Sequence, residues 1–283
     1  MSSMVTRRSF VGSLVASAAL YATKTQGAAL RQGASPAPDP NLIADLVAGN
    51  HILVRKGVMQ INGHLSARHP ANPNRFLLSR AIAPEIVQAG DIMEFDLDSN
   101  AIDARGRAAY SERFIHGEIY RARPDVMAVV HAHTPSILPF ATSDIPLRPV
   151  YQQATFIGEI VPVYKNGDSG EIVSNAEQAR ELVRVLGGDA VVLMHGHGEV
   201  VVSPSVRTVV SRCIELELNA RILQNILAMG GKPTYLRPTG GDGGRGGGRG
   251  RGAGGGGAQG GGRGGFDRDW EAWLLEEKRL MGR

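Results

Sequence analysis

Cysteine is almost missing from this chain: Cys213 is the only one, so no internal disulfide can form. It lies in an apolar stretch with helical spacing and reads as a core thiol. Aromatics make up only 5% of the residues, and none is interleaved with the arginines of the Gly-rich stretch before Phe266, which denies that stretch the stacking platform RNA binders use. Long hydrophobic runs are lacking too. The apolar run Val11 to Ala22 falls short of the roughly 20 residues that a membrane span requires. A basic body is also absent. The formal charge is +4, but residues 1–24 carry Arg7, Arg8 and Lys24 with no acid, and residues 240–265 carry Arg245, Arg249, Arg251 and Arg263 against Asp242. Taking +3 from each of these segments leaves −2 for the remainder, so no nucleic-acid partner is expected.

The N-terminal stretch has a definite layout. Thr6-Arg7-Arg8-Ser9-Phe10, the modest apolar run and the small residues Gly27-Ala28-Ala29 are laid out like a twin-arginine export signal over residues 1–29. The expectation is a periplasmic protein with no stable membrane insertion of the mature chain, the alternative being a cytoplasmic one. Residues 30–39 read as a linker and 40–238 as one domain, large enough at 42% apolar composition overall to bury a full core. Residues 239–265, nearly all Gly with scattered Arg, cannot bury enough surface to offset their ordering entropy and read as a disordered linker. Residues 266–283 read as a charged helix whose Trp270, Trp273, Leu274 and Leu275 dock on the body or on a neighbouring subunit, where the two Trp would close a neighbouring site.

Within the body, periodicity predicts a helix over Asn41–Lys56 stopped by Gly57. Short strands are predicted over Val58–Ile61, Leu65–Arg68, Phe76–Ser79 and Ile92–Leu97, with a helical turn at Pro84–Gln88. A helix over Glu112–Arg123, a helical segment over Pro135–Ala141, a strand over Val161–Tyr164 and a helix over Asn175–Leu186 follow. Strands at Ala190–Met194 and Val200–Val202 then lead through a Ser203-Pro204 cap into a long helix to Met229. Strands intermixed with helices, without regular βαβ alternation, indicate a mixed sheet covered by helices.

His131-Ala132-His133 ends the buried strand pattern Ala128-Val129-Val130. Side chains two apart on a strand share a face, so both imidazoles point the same way. A third from the later turn at His197 makes a three-nitrogen metal site with a position left open, which suits catalysis rather than stapling. Glu112 lies nineteen residues before His131, and His116 is one turn further along the same helix face. His116 reads as a contact to the substrate or to the ligand shell, or as a core side chain. His195 is an alternative ligand.

These residues carry a resemblance. Ser111-Glu112, Arg123-Pro124-Asp125, Ala128 to His133, Gly196-His197-Gly198 before Val200-Val201-Val202, and Gly63-His64-Leu65-Ser66 are similar, in order and spacing, to the class II aldolase/adducin family over roughly residues 40–236. The resemblance implies a single three-layer α/β/α domain with a mixed, largely antiparallel central sheet, and a homo-oligomer, commonly a tetramer. It implies one divalent metal ion, Zn²⁺ or Mn²⁺, held by His131, His133 and His197, with Glu112 as acid/base and a further candidate ligand, and with Glu112 or His116 as the catalytic group that delivers the proton. It also implies substrate contacts at Gly63, His64, Ser66, Arg80 and Ser111.

The departures narrow the substrate. Sugar-phosphate aldolases of the family hold phosphate with Asn, small residues and a Ser pair, whereas here His64, Leu78-Ser79-Arg80-Ala81 and Tyr110 stand in those loops. A phosphate cradle needs small residues with free backbone N–H groups. Arg80 and His64 would suit a carboxylate instead. Gly-His-Leu-Ser-Ala-Arg-His-Pro, Arg-Phe-Leu-Leu-Ser-Arg and Glu-Arg-Phe-Ile-His-Gly resemble a branch that includes metal-dependent decarboxylases of hydroxylated aromatic or pyridine dicarboxylates. The expected activity is carbon–carbon lysis of a small hydroxylated carboxylate, with decarboxylation ahead of retro-aldol cleavage. The alternatives are a sugar-phosphate aldolase and a non-catalytic adducin-like scaffold, a class that loses the ligands this chain keeps.

Overall fold

In the computed structural model, residues 36–167, 170–238 and 265–281 are described. The export-signal reading of residues 1–29 lies outside them, as does all of the Gly/Arg-rich linker up to residue 264. None of the described helices is long and apolar enough to cross a membrane.

The elements are α1 (Pro40–Arg55), β1 (His64–Arg68), β2 (Arg75–Ser79), β3 (Ile92–Asp96), α2 (Arg113–Ala122), β4 (Ala128–Ala132), α3 (Leu138–Thr142), β5 (Val163–Tyr164), α4 (Ala176–Leu186), β6 (Val191–Met194), β7 (Gly198–Ser203), α5 (Val206–Ala228) and α6 (Gly265–Met281). The strands form one seven-stranded sheet in the order β3-β2-β1-β4-β7-β6-β5, antiparallel except for the β5–β6 pair. Strand alternation sorts the apolar residues into two cores. Leu65, Ala67, Ala128, Val130, Leu193 and Val201 face α1, α5 and Trp270 of α6, while Phe76, Phe95, Val129, Val192 and Val200 face Ile115, Ile119 and Tyr120 of α2 and Leu182 of α4. The result is helices on both faces of a mixed, mainly antiparallel sheet, as the sequence reading expects.

Four local expectations are corrected. Val58–Ile61 forms no strand: the Val58 and Met59 amides donate to the Leu53 carbonyl at 3.0 and 3.1 Å, so this apolar run closes the end of α1 instead of joining the sheet. The α5 cap is Ser205 rather than Ser203-Pro204, because β7 runs through Ser203 and the Ser205 side chain accepts from the Thr208 amide. Pro135–Ala141 is helical only from Leu138. The predicted strand at Val161 pairs only at Val163 and Tyr164, although the Pro162 carbonyl already accepts from the Leu193 amide at 2.9 Å.

The C-terminal helix packs on this chain's own α1 and α5. Trp270 is 1% exposed in the α1/α5 core, and Glu277 is buried between His51, at 2.6 Å, and Arg55. This lies on the face of the sheet away from α2. Truncating a buried Trp costs about 3–5 kcal/mol. Trp270→Ala is therefore expected to lower the thermal midpoint of the full chain markedly and to expose α6 to trypsin, and an unchanged midpoint with unchanged digestion would remove α6 from the folded unit.

Candidate metal and substrate site

β1 and β4 are antiparallel neighbours with His64 directly opposite His131. The residues His64, Ser66, His131 and His133 alternate with the α1/α5-facing set and so point toward α2. Two glycines permit close approach here. A Cβ on Gly63 would lie 2.2 Å from Met59 Cγ, and one on Gly198, the first residue of β7, would lie 2.1 Å from the Ala132 carbonyl oxygen, so β7 could not seat against the end of β4 with a side chain there.

The outcome is a cluster in which Glu112, His131, His133 and His197 each offer a ligand atom, all within 4.8 Å of one another. The His131 and His133 rings meet edge-on at 4.7 Å, and His133 and His197 stack at 4.9 Å. The Glu112 carboxylate lies 3.4 Å from Nε2 of both His131 and His197. Burial would raise its pKa, but the adjacent His131, and then His197 and His64, hold it well below the usual carboxylate range. Burial, with His131 and His197 adding to it, pushes His133 down to about 4. His197 is raised, because the Glu112 hydrogen bond outweighs desolvation.

The donor set fits a divalent cation. His131 Nδ1–H donates to the Glu199 carbonyl at 2.9 Å, which leaves Nε2 with its lone pair turned to the cluster. That Nε2 is buried without a hydrogen-bond partner, as is Glu112 Oε1, which lies 3.4 Å from His197 Nε2. Unpartnered polar atoms converging in a buried place cost stability unless something fills the gap, and three imidazoles plus one carboxylate match an open metal site.

The other candidate residues separate. His64 sits against the cluster, its ring 5.1 Å from that of His131. His116 and Ser66 lie behind His64: His116 Nε2 bonds His64 Nδ1 at 2.7 Å, and its Nδ1 bonds Ser66 Oγ at 2.6 Å. Both His116 nitrogens are thus engaged within the chain, which makes it a support for His64 rather than a group facing the metal ligands. Arg80 pairs with Asp91 at 2.6 Å, its guanidinium already committed to a carboxylate of this chain. Ser111 is exposed, one residue before Glu112. His195 turns away, its Nδ1 bonded to the Ala141 carbonyl at 2.9 Å.

Three residues that the sequence reading did not single out as candidates also matter. Tyr120 bonds Ser66 Oγ at 2.7 Å. Tyr110, read there only as a departure from the phosphate loop, packs on His64 at 4.6 Å and donates to the Ile82 carbonyl, so the loop that could cradle phosphate is filled. Glu199 is 1% exposed on β7, its carboxyl holding the Thr134 hydroxyl and, at 3.3 Å, the Thr134 amide, next to His133. The Thr134 hydroxyl also contacts the Val58 carbonyl at 2.9 Å. A hydroxyl has one hydrogen, and the carbonyl can only accept it, so both contacts are fully satisfied when the carboxyl is protonated and donates to Thr134 Oγ1.

Burial correspondingly pushes Glu199 up to about 8 from 4.5. Between those values the unfolded chain releases this proton while the folded one keeps it, so folding stability falls as pH rises through the window, by a few kcal/mol at most. Glu199→Gln keeps a donor and an acceptor in place. The variant is expected to flatten the decline in thermal midpoint between pH 5 and 8, and an unchanged pH profile would show that Glu199 is ionised in the fold.

Residues 44–224 match the class II aldolase and adducin N-terminal domain. The chain belongs to this family. It is 33% identical to decarboxylase tropJ of Talaromyces stipitatus over 64% of this chain and 74% of that protein. It is also 32% identical to 3,4-dihydroxyphthalate decarboxylase of Arthrobacter keyseri over 64% and 76% of the two chains. Among solved structures, an aldolase II superfamily protein from Pseudomonas syringae superposes with a TM-score of 0.67 at 23% identity, covering 85% of this chain and 93% of that one. The shared fold is that of class II aldolases.

Proposed function

We propose that this protein is a metal-dependent carbon–carbon lyase that decarboxylates a small hydroxylated aromatic carboxylate. The observation that carries the reading is the convergence of Glu112, His131, His133 and His197, supported by family relatives named as decarboxylases. His131, His133 and His197 would hold a divalent metal, with Glu112 at its flank. A bound divalent ion polarises neighbouring hydroxyl and carboxylate oxygens and stabilises the negative charge produced when the carbon–carbon bond breaks.

The chain's own groups do the rest. Glu112 is an anion at rest, so it takes the proton of the substrate hydroxyl on docking. The bond to the carboxyl carbon then breaks, its electron pair stays on the ring carbon, carbon dioxide leaves, and Glu112 returns the proton to that carbon. His64 lines the β1 side of the site with Ser66 behind it, Gly63 allows the close approach of its loop, and Tyr110 fills the space where phosphate would need small residues.

The test uses the full chain loaded separately with Zn²⁺ and Mn²⁺ and offered 3,4-dihydroxyphthalate and related hydroxy-carboxylates, with carbon dioxide and aldehyde both followed. One carbon dioxide per substrate without aldehyde is expected. Aldehyde release from a hydroxy-aldehyde precursor, with no carbon dioxide from any carboxylate, would move the assignment to retro-aldol cleavage.

A further inference from the structure

A fourth imidazole stands beside the ligand cluster, and hydrogen-bond counting assigns its proton. His64 Nδ1, His116 Nε2, His116 Nδ1, Ser66 Oγ and Tyr120 OH form one continuous chain with links of 2.7, 2.6 and 2.7 Å. All four side chains are at most 1% exposed. Burial pushes the Tyr120 hydroxyl up, so it keeps its hydrogen, and the Val129 backbone donates to its oxygen. Its hydrogen therefore goes to Ser66 Oγ. Ser66, with one hydrogen of its own, turns it to His116 Nδ1. A nitrogen that accepts from Ser66 carries no hydrogen, so His116 has its own on Nε2, where it donates to His64 Nδ1. The hydrogen of a neutral His64 is left on Nε2, an atom that is buried and has no partner in the chain.

We propose that His64 presents an N–H donor at Nε2 to the site and binds a carboxylate oxygen of the substrate, and that His116, Ser66 and Tyr120 are positioning residues that lock this tautomer. An unpartnered buried donor is costly, and an anionic oxygen is the acceptor that satisfies it most strongly. The ligand part rests on the decarboxylase reading above. The tautomer part does not.

Two measurements on the Zn²⁺-loaded full chain separate these parts. Long-range proton–nitrogen correlation spectra of the imidazoles are expected to show His64 protonated at Nε2 and bare at Nδ1. In Ser66→Ala and Tyr120→Phe this preference is expected to weaken or reverse. His64 protonated at Nδ1 in the unaltered protein overturns the tautomer assignment, whatever the enzyme's activity. Calorimetry with salicylate and with catechol, which differ in having and lacking a carboxylate, then tests the ligand. His64→Phe, which keeps a ring but has no N–H, is expected to weaken salicylate roughly 10–100-fold and to leave catechol unchanged. Equal losses for both, or failure of the unaltered protein to bind salicylate, overturns the carboxylate contact. A protein that shows both expected results yet releases no carbon dioxide would contradict the decarboxylase reading alone.

Discussion

His131→Ala is expected to lose tight metal binding. The residue sits at the end of a fully buried strand, and its Nδ1 is pinned to the Glu199 carbonyl so that Nε2 alone is free for the cluster. Removing an outer partner of a metal ligand already costs roughly 10–100-fold in affinity, and removing the ligand itself costs more. The fold is expected to survive, because the β4 backbone ladder to β1 and β7 does not involve the ring. Competition against a chromophoric chelator gives the dissociation constant directly. His133→Ala and His197→Ala are expected to lose binding likewise, and His195→Ala, whose ring bonds the Ala141 carbonyl, to keep it. Unchanged affinity in His131→Ala, or a loss confined to His195→Ala, would contradict the ligand set.

Glu112→Gln is expected to lower turnover by roughly 10²–10⁴-fold while the protein keeps its metal. Gln fills the same volume and still contacts His131 and His197, but it can neither take nor return a proton. It also removes the negative charge that the two rings hold in place at 3.4 Å. Since the missing interaction belongs to the proton transfer, kcat and kcat/KM are expected to fall together. Steady-state rates with saturating metal check this, and an undiminished kcat would remove Glu112 from the mechanism.

Much of the fold was legible because it is written at short range. Continuous apolar, β-branched runs along β4, β6 and β7 marked buried strands, and Asn175 with Gly187 marked the ends of α4. The His-x-His pair was legible for the same reason, since a period of two needs no knowledge of the rest of the chain. The failures are those where a contact that the local pattern does not encode decides, whether the partner is near or far along the chain. Val58–Ile61 looks like a strand, yet its first amides are claimed by the Leu53 carbonyl at the end of α1. Arg80 looks like an anion grip until Asp91 is found beside it. Tyr120 and Glu199 gain their roles only through Ser66 and Thr134, 54 and 65 residues away. The docking side of α6 was left open by sequence, because Trp270 and Glu277 find their seats on α1 and α5 across a long intervening segment.

The central claim is a single cation held where four side chains converge. Anomalous diffraction from crystals of the metal-loaded protein, recorded on either side of the metal's absorption edge, tests it most directly. One peak per chain is expected, about 2.0–2.1 Å from nitrogen atoms of His131, His133 and His197 for zinc, with the Glu112 carboxylate beside it. A peak elsewhere, or none at this place after loading, would contradict it.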